Sequence, residues 1–176
     1  NISSFAGSDI GVGITGKLNR VDVNNPYGDK NGDDILNIVS KIAEYLIYKE
    51  CYVIVVACNT VSCICVEYLR RGYPDVMFIA VEPAVKLAYD SFEENTLIMA
   101  TKGTVDSNKF RDLYNSYHRN NFYLKSCSGL ANLIEDGNSG EIIRYLENNI
   151  GEYRNKVNSV VLGCTHYPLI KTEIRK

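Results

Sequence analysis

The spacing of apolar residues along the chain alternates between two periods, and this alternation predicts a series of helices and strands. Between residues 33 and 50 the apolar positions recur every three or four residues, which indicates an amphipathic helix. Residues 52–57 are apolar and rich in valine, as expected for a strand covered by helices on both faces. We predict further strands at residues 76–81, 96–100, 121–125 and 158–162, and further helices at residues 61–71, 83–92, 107–118, 141–149 and from 168 onward.

Two of the predicted strands end in the same way, with a cysteine at the turn into a helix. Cys58 follows the strand at 52–57, and Cys164 follows the strand at 158–162. Alternating strands and helices are typical of parallel βαβ units, in which ligands bind at the carboxyl ends of the strands. Because the two cysteines are far apart in the chain, we expect each in its own sheet. We therefore predict a cleft between two lobes, residues 1–82 and 83–166, with residues 167–176 beginning a return to the first lobe.

Composition and charge exclude several classes of function. The chain has 176 residues, 45% of them hydrophobic, and 19 basic against 21 acidic side chains, so it lacks the basic excess that nucleic-acid binding requires. Its longest apolar runs, of about six residues, fall far short of the ~20 that a membrane span needs. The first residues do not form a secretory signal, so we expect a cytoplasmic protein whose six cysteines are free thiols.

Two thiols placed at helix starts can act as an acid and a base. A free cysteine, with a pKa of about 8.5, is only slightly ionised at neutral pH, and the positive end of a helix dipole favours its thiolate. Hydrogen bonds from Asn59, Thr60 or Thr165 would favour the thiolate further. If the sulfurs face each other across the cleft, one removes a proton from a carbon atom and the other returns a proton on the opposite side. That exchange inverts the stereocentre.

The alternative for any cysteine is a structural role, because free cysteine is among the most buried residue types. We assign this role to Cys51, Cys63, Cys65 and Cys127. A zinc site built from Cys58, Cys63 and Cys65 is disfavoured, since residues two apart on a helix point to different faces. The sequence also contains no Cys-x-x-Cys pair. We therefore expect no metal site.

Two other features are weaker indications of function. The glycine-rich segment 11–17 fits a dinucleotide-binding or phosphate-binding pattern, but Leu18 stands where a phosphate loop needs serine or threonine. The residues before the segment form a poor strand, which also disfavours nucleotide binding. His166 lies two residues after Cys164, and although a lone histidine is ordinarily a surface or capping residue, this position favours a functional role.

The two cysteine motifs resemble the two signatures of the glutamate racemase family. These are Ala57-Cys-Asn-Thr60 and Gly163-Cys-Thr-His-Tyr-Pro168. The ending His-Tyr-Pro is closer to glutamate racemases than to aspartate racemases of the same superfamily, which commonly have a glutamate after Gly-Cys-Thr. Weaker agreements follow in the family's order at residues 26–28, 101–105 and 133–137, so the similarity extends from about residue 9 to residue 170.

This resemblance implies a fold, an activity and a setting. The implied fold is α/β, with two flavodoxin-like lobes, parallel sheets and the active site in the cleft between them. The implied activity is cofactor-independent interconversion of L- and D-glutamate, which supplies D-glutamate for peptidoglycan and the cell wall. The implied partners are glutamate and a second copy in a homodimer, whereas the expectation of no nucleic acid and no membrane rests on charge and on the short apolar runs.

The resemblance also implies roles for particular residues. Cys58 and Cys164 are the expected catalytic acid and base, assisted by Asp9 and His166 respectively. Ile10 stands at a substrate-binding position where the family has a serine, and loss of that polar contact would weaken binding by ~1–3 kcal/mol. The other expected positions for substrate contact or its support are Tyr27, Gly28, Asn59, Thr60, Thr101, Thr104, Glu135 and Thr165.

Three departures from the family pattern leave other functions open. The strand expected before Asp9 is poor, and residues 20–26 are too few for the family's next strand. Relatives also continue for several tens of residues beyond the second signature, so we expect residues to be missing from this sequence. One alternative is a racemase for another amino acid such as aspartate. Another, favoured by Ile10, is a catalytically impaired relative that only binds a ligand or partner.

Overall fold

The strands of the described residues form two separate sheets. A computed structural model describes residues 9–12, 19–21, 26–91, 94–117 and 119–176. The first sheet has the strand order β2-β1-β3-β4, and the second has the order β6-β5-β7. The strands of the first sheet are β1 (Asp9–Val12), β2 (Asn19–Val21), β3 (Val53–Ala57) and β4 (Met77–Ala80).

The first sheet is mixed, whereas the sequence predicted parallel strands. β3 and β4 are parallel, but β1 is antiparallel to both β2 and β3. Residues 13–18 between β1 and β2 are too few for the crossover of about a dozen residues that a parallel pair requires. The element after the glycine-rich segment is thus a three-residue strand rather than the helix of a nucleotide-binding motif. The poor strand at residues 1–8 lies outside the described residues.

Helix α1 (Gly32–Tyr48) supplies five of the sixteen buried residues that the described part of the chain contributes to the core beside this sheet. The Asn31 side chain accepts a hydrogen bond from the Asp33 N–H at 2.9 Å and so caps the helix. Asp33 and Asp34 add negative charge to the first turn, where the helix dipole favours it. The predicted helix at 33–50 is confirmed, and the apolar face that it buries comprises Ile35, Val39, Ile42, Ala43 and Leu46.

The single helix predicted at residues 61–71 is divided in two. Helix α2 (Asn59–Ile64) begins immediately after Cys58, and helix α3 (Val66–Gly72) begins after Cys65. Cys65 remains near helical geometry, with φ −108° and ψ −26°, and its N–H still donates to the Val61 carbonyl at 2.8 Å. Consecutive residues of α2, from Asn59 to Ser62, are all buried. The spacing of apolar residues by three or four positions, which is typical of a surface helix, therefore does not indicate where α2 begins and ends.

Strand β4 is exposed on one face, although the sequence predicted a strand buried on both. Phe78 is buried, but Met77 and Ile79 on the opposite face are 61% and 48% exposed. β4 is the edge strand of the sheet, and helix α3 packs against it. The apolar run at residues 76–81 could not distinguish a central strand from an edge strand.

The second sheet is parallel and covered on both faces, as predicted. Its strands are β5 (Thr96–Ala100), β6 (Phe122–Ser126) and β7 (Ser159–Gly163), with β5 in the centre. One face packs against α4 (Val85–Ser91) and α6 (Asn108–Tyr117), and the other against α7 (Leu130–Asp136) and α8 (Ser139–Ile150). All five residues of β5 are buried.

Short elements complete the second half of the chain. Helix α5 (Lys102–Asp106) follows β5, 3₁₀ helices span Gly151–Tyr153 and Tyr167–Ile170, and α9 (Lys171–Ile174) comes last. Residues 167–176, which we assign from the sequence to the start of a return to the first lobe, pack into the second core through Tyr167 and Ile170. The lobe boundary at residues 82 and 83 stays a prediction. Within the described ranges, no helix has the length and apolarity to cross a membrane.

Buried thiols should make the fold sensitive to alkali. Burial raises the pKa of Cys65 and of Cys127 to about 12. Because these values lie above those of the unfolded chain, the unfolded state loses its thiol protons first. The free energy of unfolding should then fall as the pH rises from about 9 to about 12, by on the order of 1 kcal/mol per pH unit for each thiol. Urea unfolding under reducing conditions between pH 7 and pH 10 measures this decline.

The variant Cys127→Ala tests the assignment of this effect to a thiol. It removes one buried titrating group, so its stability should decline less steeply above pH 9 than that of the unaltered chain. Parallel declines in the two proteins would show that the Cys127 thiol does not contribute.

Candidate active site

The carboxyl ends of β3 and β7 carry the two cysteines singled out by the sequence. Cys58 directly follows β3 and stands at the N-cap of α2, and Cys164 directly follows β7. Both are buried, with 5% and 7% of their surface exposed. Burial raises the pKa of Cys164, and the charge of an ionised Cys58 raises it further. Residues from the two sheets thus share one electrostatic environment.

A histidine and a carboxylate lie in a row next to Cys164. The Cys164 Sγ lies 3.6 Å from Nδ1 of the buried His166, and His166 Nε2 is hydrogen-bonded to Oε1 of Glu135 on α7. A carboxylate partner holds the ring proton on Nε2. Nδ1 then presents its lone pair to the thiol. The Glu135 side chain remains 47% exposed, so this row of three groups extends from the buried sulfur to the surface.

Three threonine hydroxyls form a closed ring at the starts of two helices. Oγ1 of Thr60 lies 2.9 Å from that of Thr101 and 3.2 Å from that of Thr104, and the last two are 2.9 Å apart. All three residues are buried. Thr60 is on α2, next to the first sheet, whereas Thr101 caps α5, next to the second. The ring therefore joins elements of both sheets.

The segment before α1 packs against the start of α5. The Gly103 N–H donates to the Gly28 carbonyl at 2.8 Å. A Cβ atom on Gly28 would lie 2.8 Å from Cγ2 of Thr101, and one on Gly103 would lie 3.0 Å from the Gly28 oxygen. Only glycine fits this approach. Tyr27 beside Gly28 is buried in the first core.

The remaining predicted residues occupy defined positions. Asn59 is buried at the start of α2, adjacent to Cys58. Oγ1 of Thr165 is buried and has no hydrogen-bond partner among the residues that the structure describes. In β1, Asp9 pairs with Ala57, the residue before Cys58, and Ile10 pairs with Val56. The backbone register thus brings Asp9 to the end of β3 from which Cys58 follows.

Burial dominates the protonation of Cys164. It raises the pKa of this thiol to about 12, although hydrogen bonds from the backbone N–H groups of His166 and Tyr167 lower it. The expectation that this position favours the thiolate is wrong for Cys164, because the two backbone N–H groups lower its pKa by less than burial raises it. Without a further positive charge, Cys164 carries its proton at neutral pH.

Sequence reasoning missed two contributors to this arrangement. Gly103 was not singled out, although it lies between two threonines in Thr101-Lys-Gly-Thr104, a spacing that could have indicated a close backbone approach. Helix α7, which carries Glu135, was not predicted either. It is only seven residues long, and both flanking glycines, Gly129 and Gly137, have positive φ. The glycines were the available signal for its ends.

Comparison with known proteins agrees with this geometry. The family model described as Asp/Glu/Hydantoin racemase matches residues 25–176. The chain belongs to this racemase family. The match includes both cysteine motifs, the threonine ring and Glu135, and it confirms the resemblance noted from the sequence.

Individual relatives of this racemase-family chain are glutamate racemases. It is 38% identical over 156 residues to the enzyme of Clostridium kluyveri, an alignment covering 86% of this chain and 61% of the relative. The identity to the Clostridium perfringens glutamate racemase is also 38%, over 85% of this chain and 60% of the relative. The chain thus spans about three fifths of the length of the curated relatives that it matches.

Solved structures of glutamate racemases share the fold. The Escherichia coli glutamate racemase, in complex with L-glutamate and the activator UDP-MurNAc-ala, superposes with a TM-score of 0.70 at 28% identity, over 87% of this chain and 60% of that one. The Francisella tularensis glutamate racemase, in complex with D-glutamate, gives 0.68 at 26% identity, over 86% and 58%. These likenesses confirm the predicted two-lobed α/β fold.

The close approach at Gly28 predicts that a methyl group added there destabilises the protein. Gly28→Ala should lower the free energy of unfolding by ~1–3 kcal/mol, because the added Cβ overlaps Thr101 and displaces the segment. Gly72→Ala, at a glycine with no atom within 4 Å of the new Cβ, is the matched control and should be neutral or slightly stabilising. Urea unfolding compares them, and equal effects would contradict the packing described here.

The raised pKa of Cys164 predicts how its reactivity depends on pH. Without substrate, alkylation of Cys164 by iodoacetamide should accelerate about tenfold per pH unit between pH 7 and pH 10, because only the thiolate reacts and its pKa is about 12. Mass spectrometry of the peptide containing Cys164 measures this rate. A plateau below pH 9 would show that the thiol ionises in the ordinary range.

Proposed function

We propose that the chain forms the active site of a cofactor-independent glutamate racemase, which interconverts L- and D-glutamate. The observation that carries the proposal is the pair of buried cysteines at the ends of strands in two different sheets, with elements of the two sheets joined by the hydrogen bonds of Thr60 with Thr101 and Thr104. The names of the relatives support glutamate as substrate. We extend the proposal to D-glutamate supply for peptidoglycan, a cytoplasmic location and a homodimer, as the resemblance implies.

In the proposed reaction each thiol works on one side of the substrate α-carbon. One thiolate removes the α-proton, and the other thiol donates a proton to the opposite side, so the configuration is inverted. Because burial keeps Cys164 protonated, we assign it the role of acid in the first direction, in which Cys58 is the partner base. The bond from Cα to hydrogen breaks as a proton passes to one sulfur, and a new bond forms with the proton of the other. No electron acceptor is needed.

The reverse direction requires Cys164 to lose its proton and Cys58 to gain one, which a forward turnover or proton exchange with solvent achieves. The α-ammonium group of the bound amino acid favours the thiolate by its positive charge. His166 Nδ1, 3.6 Å from the sulfur, is placed to accept the proton, and Glu135 stabilises the imidazolium that results. These two residues therefore assist Cys164 when it acts as the base.

Groups around the thiols are suited to a dicarboxylate amino acid. Hydroxyls and N–H groups at the starts of α2 and α5 can donate to carboxylate oxygens, each such bond contributing ~1.5–3 kcal/mol. The hydroxyls of Thr60, Thr101 and Thr104 need only rotate from their mutual ring to do so. Oγ1 of Thr165, which has no partner within the part of the chain that the structure describes, would gain one. We assign Asp9, at the end of β1 beside Ala57, to the substrate ammonium group.

A second candidate function is binding without turnover. It is favoured by Ile10 on β1, where the resembling family has a serine that contacts substrate. The same site with a different side-chain preference would give a racemase for another amino acid such as aspartate. A panel of amino acids in the assay below separates these possibilities.

The proposed reaction predicts solvent hydrogen at the α-carbon. Protein expressed from its complete coding sequence and incubated with L-glutamate in D₂O should produce D-glutamate carrying deuterium at Cα, measured by chiral chromatography and mass spectrometry. Cys58→Ser and Cys164→Ser should each lower kcat by about 10²–10⁴, since each removes one acid or base. Cys63→Ser, which alters a partly buried thiol on α2 that follows neither strand directly, is the matched control and should remain active.

The outcomes separate the candidates. Saturable glutamate binding without deuterium incorporation would support the binding-only function. Full activity in either serine variant at position 58 or 164 would remove that thiol from the mechanism.

A further inference from the structure

Asp29 connects the segment before α1 with the second half of the chain. Its Oδ1 accepts a hydrogen bond from Ser128 Oγ at 2.6 Å, and its Oδ2 accepts one from the Gly129 N–H at 2.8 Å. The partners are 99 and 100 residues away in sequence. Both oxygens of one carboxylate are therefore engaged with two consecutive residues, which fixes direction as well as distance.

Ser128 and Gly129 lie immediately before α7. Gly129 is the N-cap of that helix, with φ +80°, and has no side chain that could cap it. The Asp29 carboxylate also brings negative charge to the positive end of the helix. The contact thus fixes the position of the two residues from which α7 begins.

The position of α7 matters because it carries Glu135. Glu135 hydrogen-bonds His166, and His166 Nδ1 lies 3.6 Å from the Cys164 sulfur. The other side of the Asp29 segment is held by its neighbour, since the Gly28 carbonyl accepts from Gly103. A continuous row of contacts therefore leads from the start of α1 to the thiol on the second sheet.

We propose that Asp29 is a positioning residue for the reaction. It fixes α7, and through it Glu135 and His166, relative to the half of the site that contains Cys58. This inference rests on the proposed racemase function. Asp29 does not act on the substrate, and because its side chain is exposed, its hydrogen bonds contribute little to overall stability. Its effect should appear in turnover, because small misplacements of reacting groups are costly.

The first test separates turnover from binding. Asp29→Asn keeps the size of the side chain but replaces one of its two acceptor oxygens with an NH₂ group, which cannot accept a hydrogen bond. We therefore expect kcat to fall about tenfold, because the groups that Asp29 positions are displaced. KM and the unfolding midpoint should stay nearly unchanged. Asp34→Asn, which neutralises an exposed aspartate in the first turn of α1, is the matched control and should leave kcat unchanged. A raised KM with unaltered kcat would place Asp29 with substrate binding and overturn the proposal.

A double-mutant cycle tests the route through Glu135. If Asp29 acts by positioning Glu135, the double variant Asp29→Asn with Glu135→Gln should lose little more activity than Glu135→Gln alone. Losses that multiply would mean that the two residues act independently, which overturns the proposed route.

Hydrogen exchange tests the contact without reference to activity. The peptide covering residues 127–136 should exchange its amide protons faster in Asp29→Asn than in the unaltered protein, and at the unaltered rate in Asp34→Asn. An unchanged rate in Asp29→Asn would show that the carboxylate does not hold α7. If the unaltered protein does not racemise glutamate, the proposed function fails, while this measurement still decides whether Asp29 fixes the helix.

Discussion

The close backbone contact between Gly28 and Gly103 is the constraint on which the site depends. In each of the two sheets one strand is followed by a cysteine. Strand pairing within either sheet does not by itself bring the two thiols together. The approach of two glycines, with a 2.8 Å hydrogen bond between them, lets the segment before α1 reach the start of α5. The hydroxyl ring formed by Thr60, Thr101 and Thr104 closes beside it. The shape of the candidate site therefore follows from contacts made by small residues across the two halves.

Burial has opposite effects on structure and on chemistry in this protein. It provides the cores around β3 and β5, and it excludes water from both thiols at the strand ends. The same exclusion raises the pKa of Cys164 to about 12, well away from the range in which a thiol is a ready base. The neighbouring N–H groups, the histidine and a charged substrate are the means by which this site can reverse that effect. A buried thiol without such neighbours, such as Cys65, stays inert.

Features of the chain that depend on local spacing could be predicted from the sequence. The valine-rich runs before Cys58 and Cys164 indicated both strands, and hence the end of the sheet where these residues lie. The antiparallel pairing of β1 with β3 could not be predicted, because it depends on which strand lies beside β1. The break between α2 and α3 and the exposure of β4 are likewise set by neighbours. The contact of Asp29 with Ser128 joins residues that are 99 positions apart, and no periodic pattern in the sequence indicates it.

The exposed carboxylate of Glu135 has a consequence for the fate of hydrogen at the active site. Cys164 is shielded from water, yet its neighbour His166 is tied to a side chain that reaches solvent. A proton arriving on that sulfur can leave by relay along the imidazole and the carboxylate to bulk water. The hydrogen taken from one substrate molecule need not be the one delivered to the next, even though the Cys164 thiol itself is buried.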